Sequence, residues 1–194
     1  MFMPGEAKTF EVYSYELRHK KLPFDCTKYY ELLHEWLMEN EFFCLGPDGK
    51  TDEYLESYYW EDRSSVREIW FWWRTKKKTE SKQIWYEMDL NVHIIAMSKQ
   101  EVVIDGKKLK LDNGEVITEF KSRLGVDLSG LQKNFFSRVF YRLFTRRWMK
   151  PRVEHHKKEL KKKTLDLIET AKKYFDLYRF DKEPLFHSVK GIEP

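Results

Sequence analysis

Between Ile84 and Ala96 every second residue is apolar, and this stretch limits the fold more than any other. Ile84, Tyr86, Met88, Leu90, Val92, Ile94 and Ala96 share one parity, with Glu87, Asp89, Asn91 and His93 between them. Successive side chains of a strand point to opposite sides, so this segment predicts a strand with one face buried and one polar. Neighbouring segments repeat the pattern. Glu115–Leu124 alternates Val116, Thr118, Phe120, Ser122 and Leu124 against Glu115, Ile117, Glu119, Lys121 and Arg123. Thr9–Arg18, Tyr54–Trp60 and Arg67–Lys76 also read as strands. Turns are expected near Asp62–Ser65, Lys76–Ser81 and Gly106, and most strongly at Asn113-Gly114, a pair suited to positive φ angles. The connections leave no room for crossover helices, so the sheet should be an antiparallel meander.

Two other regions have helical spacing. Asp25 can cap a helix over Cys26–Glu41, with Tyr29, Leu33, Trp36 and Leu37 on its apolar side. After Gly130, Leu131, Phe135, Val139 and Leu143 recur at helical intervals up to Pro151, which should interrupt or bend the helix. A further helix is expected over Glu154–Tyr178, with Leu160, Leu167, Ile168, Ala171, Tyr174, Phe175 and Tyr178 turned inward. The expectation is one α+β domain over residues 1–180, with an irregular tail over 181–194.

The 194-residue chain is 41% hydrophobic and 35% charged, so disorder is excluded, and no apolar run is long enough for a membrane-spanning helix. The opening Met1–Gly5 is followed by Glu6, not by a signal-like apolar segment, so a cytoplasmic location is expected. Cys26 and Cys44 lie in no ligand-like motif and read as free thiols.

The order of these elements resembles the START-like, or helix-grip, superfamily. The strand at Thr9–Arg18, the helix at Cys26–Glu41, the strands across Tyr54–Leu124 and the helices after Gly130 carry the resemblance. It departs from many members in having one N-terminal helix and a terminal helix divided near Pro151. The resemblance implies a curved antiparallel sheet around a long C-terminal helical region, with a hydrophobic cavity between sheet and helix. It names no ligand.

Seven tryptophans and an aromatic content of 16% direct attention to a ligand for those rings. Trp70 and Trp72 share one side of a strand; Ile69, Phe71 and Trp73 share the other. The candidate ligand-binding residues are Trp60, Trp70, Trp72, Trp85, Glu87, His93, Phe120, Phe136 and Phe140, a set drawn from both faces of the sheet. Ordinary core packing competes with this reading, as does a solvated sheet face for the row Glu87, Asp89, Asn91 and His93. Coverage of the second aromatic face by another copy is a further alternative.

Charge supplies the other signal. Residues 133–163 contain twelve Lys and Arg against two Glu, a local formal charge of +10, whereas the rest of the chain carries −6. Arg138, Arg142 and Arg146 recur every fourth residue; with Arg147, Lys150, Lys157, Lys158, Lys161 and Lys162 they form a candidate anion-binding surface. Nucleic acid, an anionic membrane surface or water alone would suit it. No GxGxxG, Walker-type loop, Gly-x-Ser-x-Gly, CxxC pair or HExxH occurs, so no cofactor, metal or catalytic residue is assigned. The leading expectation is a non-catalytic binding protein with an apolar or aromatic ligand cavity between the sheet and the helices. A nucleic-acid-associated protein is the alternative, and an enzyme on a small hydrophobic substrate the third.

Overall fold

In the computed structural model the described residues are 8–20, 23–45, 51–52, 56–63, 66–81, 83–104, 107–127 and 149–179. They form an antiparallel six-stranded sheet flanked by an N-terminal and a C-terminal helix. Strand β1 spans Lys8–His19, β2 Pro23–Phe24, β5 Glu56–Asp62, β6 Arg67–Lys78, β7 Ile84–Ile104 and β8 Lys107–Val126. The order across the sheet is β1-β8-β7-β6-β5, with β2 also on β8. Strands β3 (Cys44–Leu45) and β4 (Thr51–Asp52) form a separate ribbon, and a bridge from Phe43 to Lys76 ties this region to β6.

The alternation holds across β8 and along β7 as far as Ile94, but Ala96, expected on the same face, is exposed at a bulge where Met97 is buried instead. Tyr86, Met88, Leu90, Val92 and Ile94 are buried, as are Val116, Thr118, Phe120, Ser122 and Leu124. Ile69, Phe71, Trp73 and Thr75 continue this face on β6. Both helices pack on it. Helix α1 (Cys26–Glu39) brings Tyr29 Oη to 2.8 Å from Thr118 Oγ1 and sets the Tyr30 ring edge-on against Phe71 and Trp73. Helix α2 (Lys150–Arg179) buries Met149 just before it, then Val153, Leu160, Thr164, Leu167, Ile168, Ala171, Tyr174 and Phe175. Intervals of three, four and seven residues place these on one stripe.

The helix ends explain two boundaries. Asp25 Oδ1 accepts from the amides of Thr27 and Lys28, as its sequence position predicts, and Asp112 Oδ2 on β8 accepts from the Cys26 amide. Helix α1 stops two residues short of the expected Glu41. Glu41 takes φ 61°, its amide donates to Met38 O, and the Phe42 amide donates to Leu37 O. This is a Schellman cap built without glycine, closed by the Phe42 ring against Trp36. Pro151 is the second residue of α2 and follows Met149, whose backbone has the wider π-helical spacing. The helix expected from Leu131 lies outside the described residues, apart from its last residue, Met149.

Asn113-Gly114 is not a hairpin. β8 runs straight through it, and the β7–β8 ladder closes farther along at Ile104 and Lys107, on either side of the expected turn at Gly106. Gly114 instead faces a bulge in β7, where the register shifts between Ile95 and Ser98 and Ala96 has φ 55°. A side chain at 114 would have its Cβ 2.8 Å from the Ile95 carbonyl oxygen. Glycine is present because of this close approach, a tertiary requirement that mimics a turn signal.

Candidate functional site

The face of the sheet opposite the helices carries the candidate site. Antiparallel register aligns its side chains in rows across the strands. In the first row Trp60, Trp70, His93, Ile117 and Arg18 stand opposite one another on β5, β6, β7, β8 and β1. Tyr58, Trp72, Asn91, Glu119 and Glu16 form the second. Rings meet along these rows: Trp70 stacks on His93 at 4.2 Å and 16°, Tyr58 stacks on Trp72 at 4.1 Å and 12°, and Trp60 lies 4.6 Å from Trp70 at a tilt of 52°. Beside them opens a cleft of about 400 Å³, bordered by Trp70, Trp72, Arg74, Asn91, His93 and Glu119, with Glu16 and Arg18 of β1 also lining it.

A lattice of charges adjoins the cleft. Arg123 Nη2 reaches Asp89 at 2.8 Å and its Nε reaches Glu87 at 3.1 Å, while Lys76 lies 3.8 Å from Glu87. Arg74 approaches Asp89 at 4.0 Å and donates to the Trp73 and Leu90 carbonyls. Burial pushes the Asp89 carboxyl upward, and the Arg123 and Arg74 guanidiniums oppose that shift. Within the cleft, Arg18 pairs with Glu16, the Asn91 amide donates to Glu119 Oε2 at 2.9 Å, and His93 Nε2 lies 3.5 Å from Glu68.

The sequence candidates therefore divide. Trp70, Trp72 and His93 come together at the cleft, and Trp60 lies against Trp70 on the neighbouring strand. Trp85 and Glu87 share the same face but lie beyond the Arg74–Asp89 row; Trp85 Nε1 donates to Glu87 Oε1 at 2.8 Å, and Lys76 Nζ lies 4.4 Å from the Trp85 ring centroid. Phe120 is fully buried on the opposite, helix-covered face and cannot join them. Phe136 and Phe140 lie outside the described residues, as do Arg138, Arg142, Arg146 and Arg147. Lys150, Lys157, Lys158, Lys161 and Lys162 are on α2. Lys157 and Lys161 cover the Phe10 and Tyr13 rings of β1, at 5.5 and 5.3 Å, while Lys150, Lys158 and Lys162 are exposed.

Tyr58, Glu16, Arg18 and Glu119 were not legible as site residues, because only the strand register places them beside Trp72 and Asn91. The polar row of β7 was legible, but its division was not: Glu87 and Asp89 belong to the charge lattice, Asn91 and His93 to the cleft. Between sheet and helices, the described side chains form a buried hydrophobic cluster rich in aromatic rings. His19 stacks on Phe175 at 4.0 Å, and Tyr29 meets Tyr174 and Phe175 at 5.3 and 4.7 Å. Both cysteines are free; burial, reinforced by the nearby Asp112 carboxylate, pushes the Cys26 thiol up to about 11. Among the described residues no group of three or more His, Cys, Asp and Glu is placed to hold a metal ion, and no helix is long and apolar enough to cross a membrane.

No protein-family model matches the chain, and no curated protein matches it in sequence. A solved structure of a protein of unknown function from Staphylococcus aureus is similar over 87% of this chain and 98% of its own, at 10% identity and a TM-score of 0.21. A score that low carries no argument about fold or function.

Proposed function

We propose that this chain is a non-catalytic binding protein that holds a small hydrophobic or aromatic ligand on a single α+β domain over residues 1–180. The open cleft beside Trp70 and Trp72 carries this reading. Large rings left partly uncovered next to a concavity offer apolar area and stacking faces, and a few fixed polar groups orient what lies on them. The helix-grip arrangement is part of the proposal. Two helices on one face support it, and register shifts in β1, β5, β6 and β7 favour a curved sheet. The ligand seat proposed is the cleft on the face away from the helices.

Titration with 1-naphthol, a flat apolar probe, followed by tryptophan fluorescence tests the proposal. Saturable quenching is expected in the native protein and should fall at least about tenfold in affinity in Trp72→Ala, equivalent to losing one stacking partner. Equal affinity in native protein and variant, with unchanged circular dichroism, would place the ligand elsewhere and sink the proposed seat.

A further inference from the structure

On the side of the molecule away from the cleft, helix α2 divides by charge. Residues 150–163 hold seven Lys and Arg against two Glu, while residues 164–179 hold three charges of each sign. In the second half Glu169 meets Lys173 at 2.9 Å. In the first half both carboxylates are taken: Glu154 holds Lys157 at 3.1 Å, and Glu159 accepts from Tyr86 Oη at 2.8 Å. Lys163 donates to Asn40 Oδ1, at the end of α1. Lys150, Arg152, Lys158, Lys161 and Lys162 are left, all of them exposed. Among the described residues none of these five has a carboxylate within 4.0 Å.

Cations at this spacing work against the helix that carries them. Lys158 stands one turn from both Lys161 and Lys162, and like charges three or four residues apart repel. The described protein supplies no counter-charge, so an external polyanion would relieve the repulsion. The five cations are also spread around the helix. At 3.6 residues per turn, Lys158 and Lys162 follow the crest, opposite the buried stripe. Lys150 and Lys161 lie on the flank toward β1, where the Lys161 ammonium is 5.3 Å from the Tyr13 ring centroid. Arg152 lies on the other flank, the one from which Lys163 reaches Asn40. This basic half runs about 20 Å along the axis.

We propose that the first half of α2 docks in the major groove of duplex DNA and holds it by the phosphates, a second binding activity separate from the cleft. The apolar stripe of α2 is already buried against the sheet, and Leu165 is the one large hydrophobic exposed on the described helix. No apolar face remains to enter a lipid layer. A flat anionic surface would meet the crest and leave both flanks in water, whereas phosphates stand on either side of a helix seated in a groove. The B-form major groove, about 12 Å wide, admits a helix about 10–12 Å across; the A-form groove of duplex RNA is too narrow. Between 150 and 163 no Asn or Gln occurs to read a base edge, so recognition rests on the backbone, with little sequence preference.

Fluorescence anisotropy of a labelled duplex DNA of about 20 base pairs, titrated with the full chain, tests this. Affinity should fall at least about 100-fold between 50 mM and 200 mM salt, as four or five phosphate contacts require. The triple variant Lys158→Gln, Lys161→Gln, Lys162→Gln, checked for native circular dichroism, should flatten the salt slope by about 0.9 per lysine removed. Its titration with 1-naphthol should be unaltered, because the cleft is on the other face. The double variant Lys172→Gln, Lys173→Gln, on the balanced half of the helix, should bind DNA like the native protein. Absence of binding at 50 mM salt, or an unchanged slope in the triple variant, would overturn the proposal. Tighter binding to duplex RNA, to a single strand, or to phosphatidylcholine vesicles carrying phosphatidylserine would assign the basic face to that partner and overturn the DNA assignment.

Discussion

Gly125 lies directly across the β7–β8 ladder from Trp85, and the indole lies flat over the space a side chain would need. A Cβ at 125 would fall 2.0 Å from Trp85 Cε2, so the ring would have to leave. It would then lose its hydrogen bond to Glu87 and its contact with Lys76. Gly125→Ala is therefore expected to destabilise the fold by about 1–3 kcal/mol, the range for overpacking a tight contact, and to shift the tryptophan emission. Urea unfolding monitored by fluorescence checks it; a variant as stable as the native protein, with unchanged emission, would show that the indole does not depend on this glycine. Glu41 teaches the complementary lesson. Its left-handed backbone is held by the Schellman bonds and by Lys77 Nζ, 2.7 Å from its carboxylate, so a helix end can lack glycine when the tertiary structure supplies the restraint.

Helix α2 joins the sheet through more than its apolar stripe. Tyr174 Oη accepts from the Asp25 amide and donates to the Asp25 carbonyl oxygen at 2.6 Å, clasping the start of α1, while Trp36 Nε1 donates to Asp166 at 3.0 Å. Farther toward its start, Tyr86 Oη on β7 lies 2.8 Å from Glu159 Oε2 and 2.6 Å from His156 Nδ1. With the Tyr86 hydrogen donated to Glu159, Nδ1 carries the hydrogen toward Tyr86 oxygen. Burial lowers the His156 pKa from its ordinary 6.5; Arg152 and His155 push it the same way, and Glu159 opposes them. The unfolded chain thus binds a proton here more readily than the folded one. Stability from this group is fully present above pH 6.5 and is lost as pH falls from there through the lowered folded value. Denaturant midpoints should drop between pH 7.5 and pH 5, and His156→Gln should flatten that drop; an undiminished slope in the variant would assign it to other groups.

The described molecule has two layers, with its helices on one side of the sheet, so the faces of the sheet should respond differently to truncation. Phe120, fully buried beneath the helices, lies in the buried hydrophobic cluster, and Phe120→Ala should cost about 3–5 kcal/mol. Trp72→Ala, on the other face, should cost about 1 kcal/mol, mostly its stack on Tyr58, although it removes the proposed ligand contact. Paired denaturation curves decide the matter; comparable losses would mean that the outer face is as tightly packed as the core.

Period alone determined much of this architecture. The alternation of β7 and β8, the Asp25 cap, the apolar side of α1 and the stripe from Leu160 to Phe175 were all legible, because each depends on neighbours within one segment. Asn113-Gly114 misled for the same reason: its local chemistry fits a turn, but the bulge at Ala96 and Met97 uses the glycine for close approach. β6 was the ambiguous case, with Ile69, Phe71 and Trp73 on one parity and Trp70 and Trp72 on the other. A strand's own sequence separates two faces without stating which one the helices will cover. Helix docking made the first set core, and cross-strand register brought Trp72, Asn91 and Glu119 into one row. Those two decisions are tertiary because they join residues far apart in the chain, where no local period reaches.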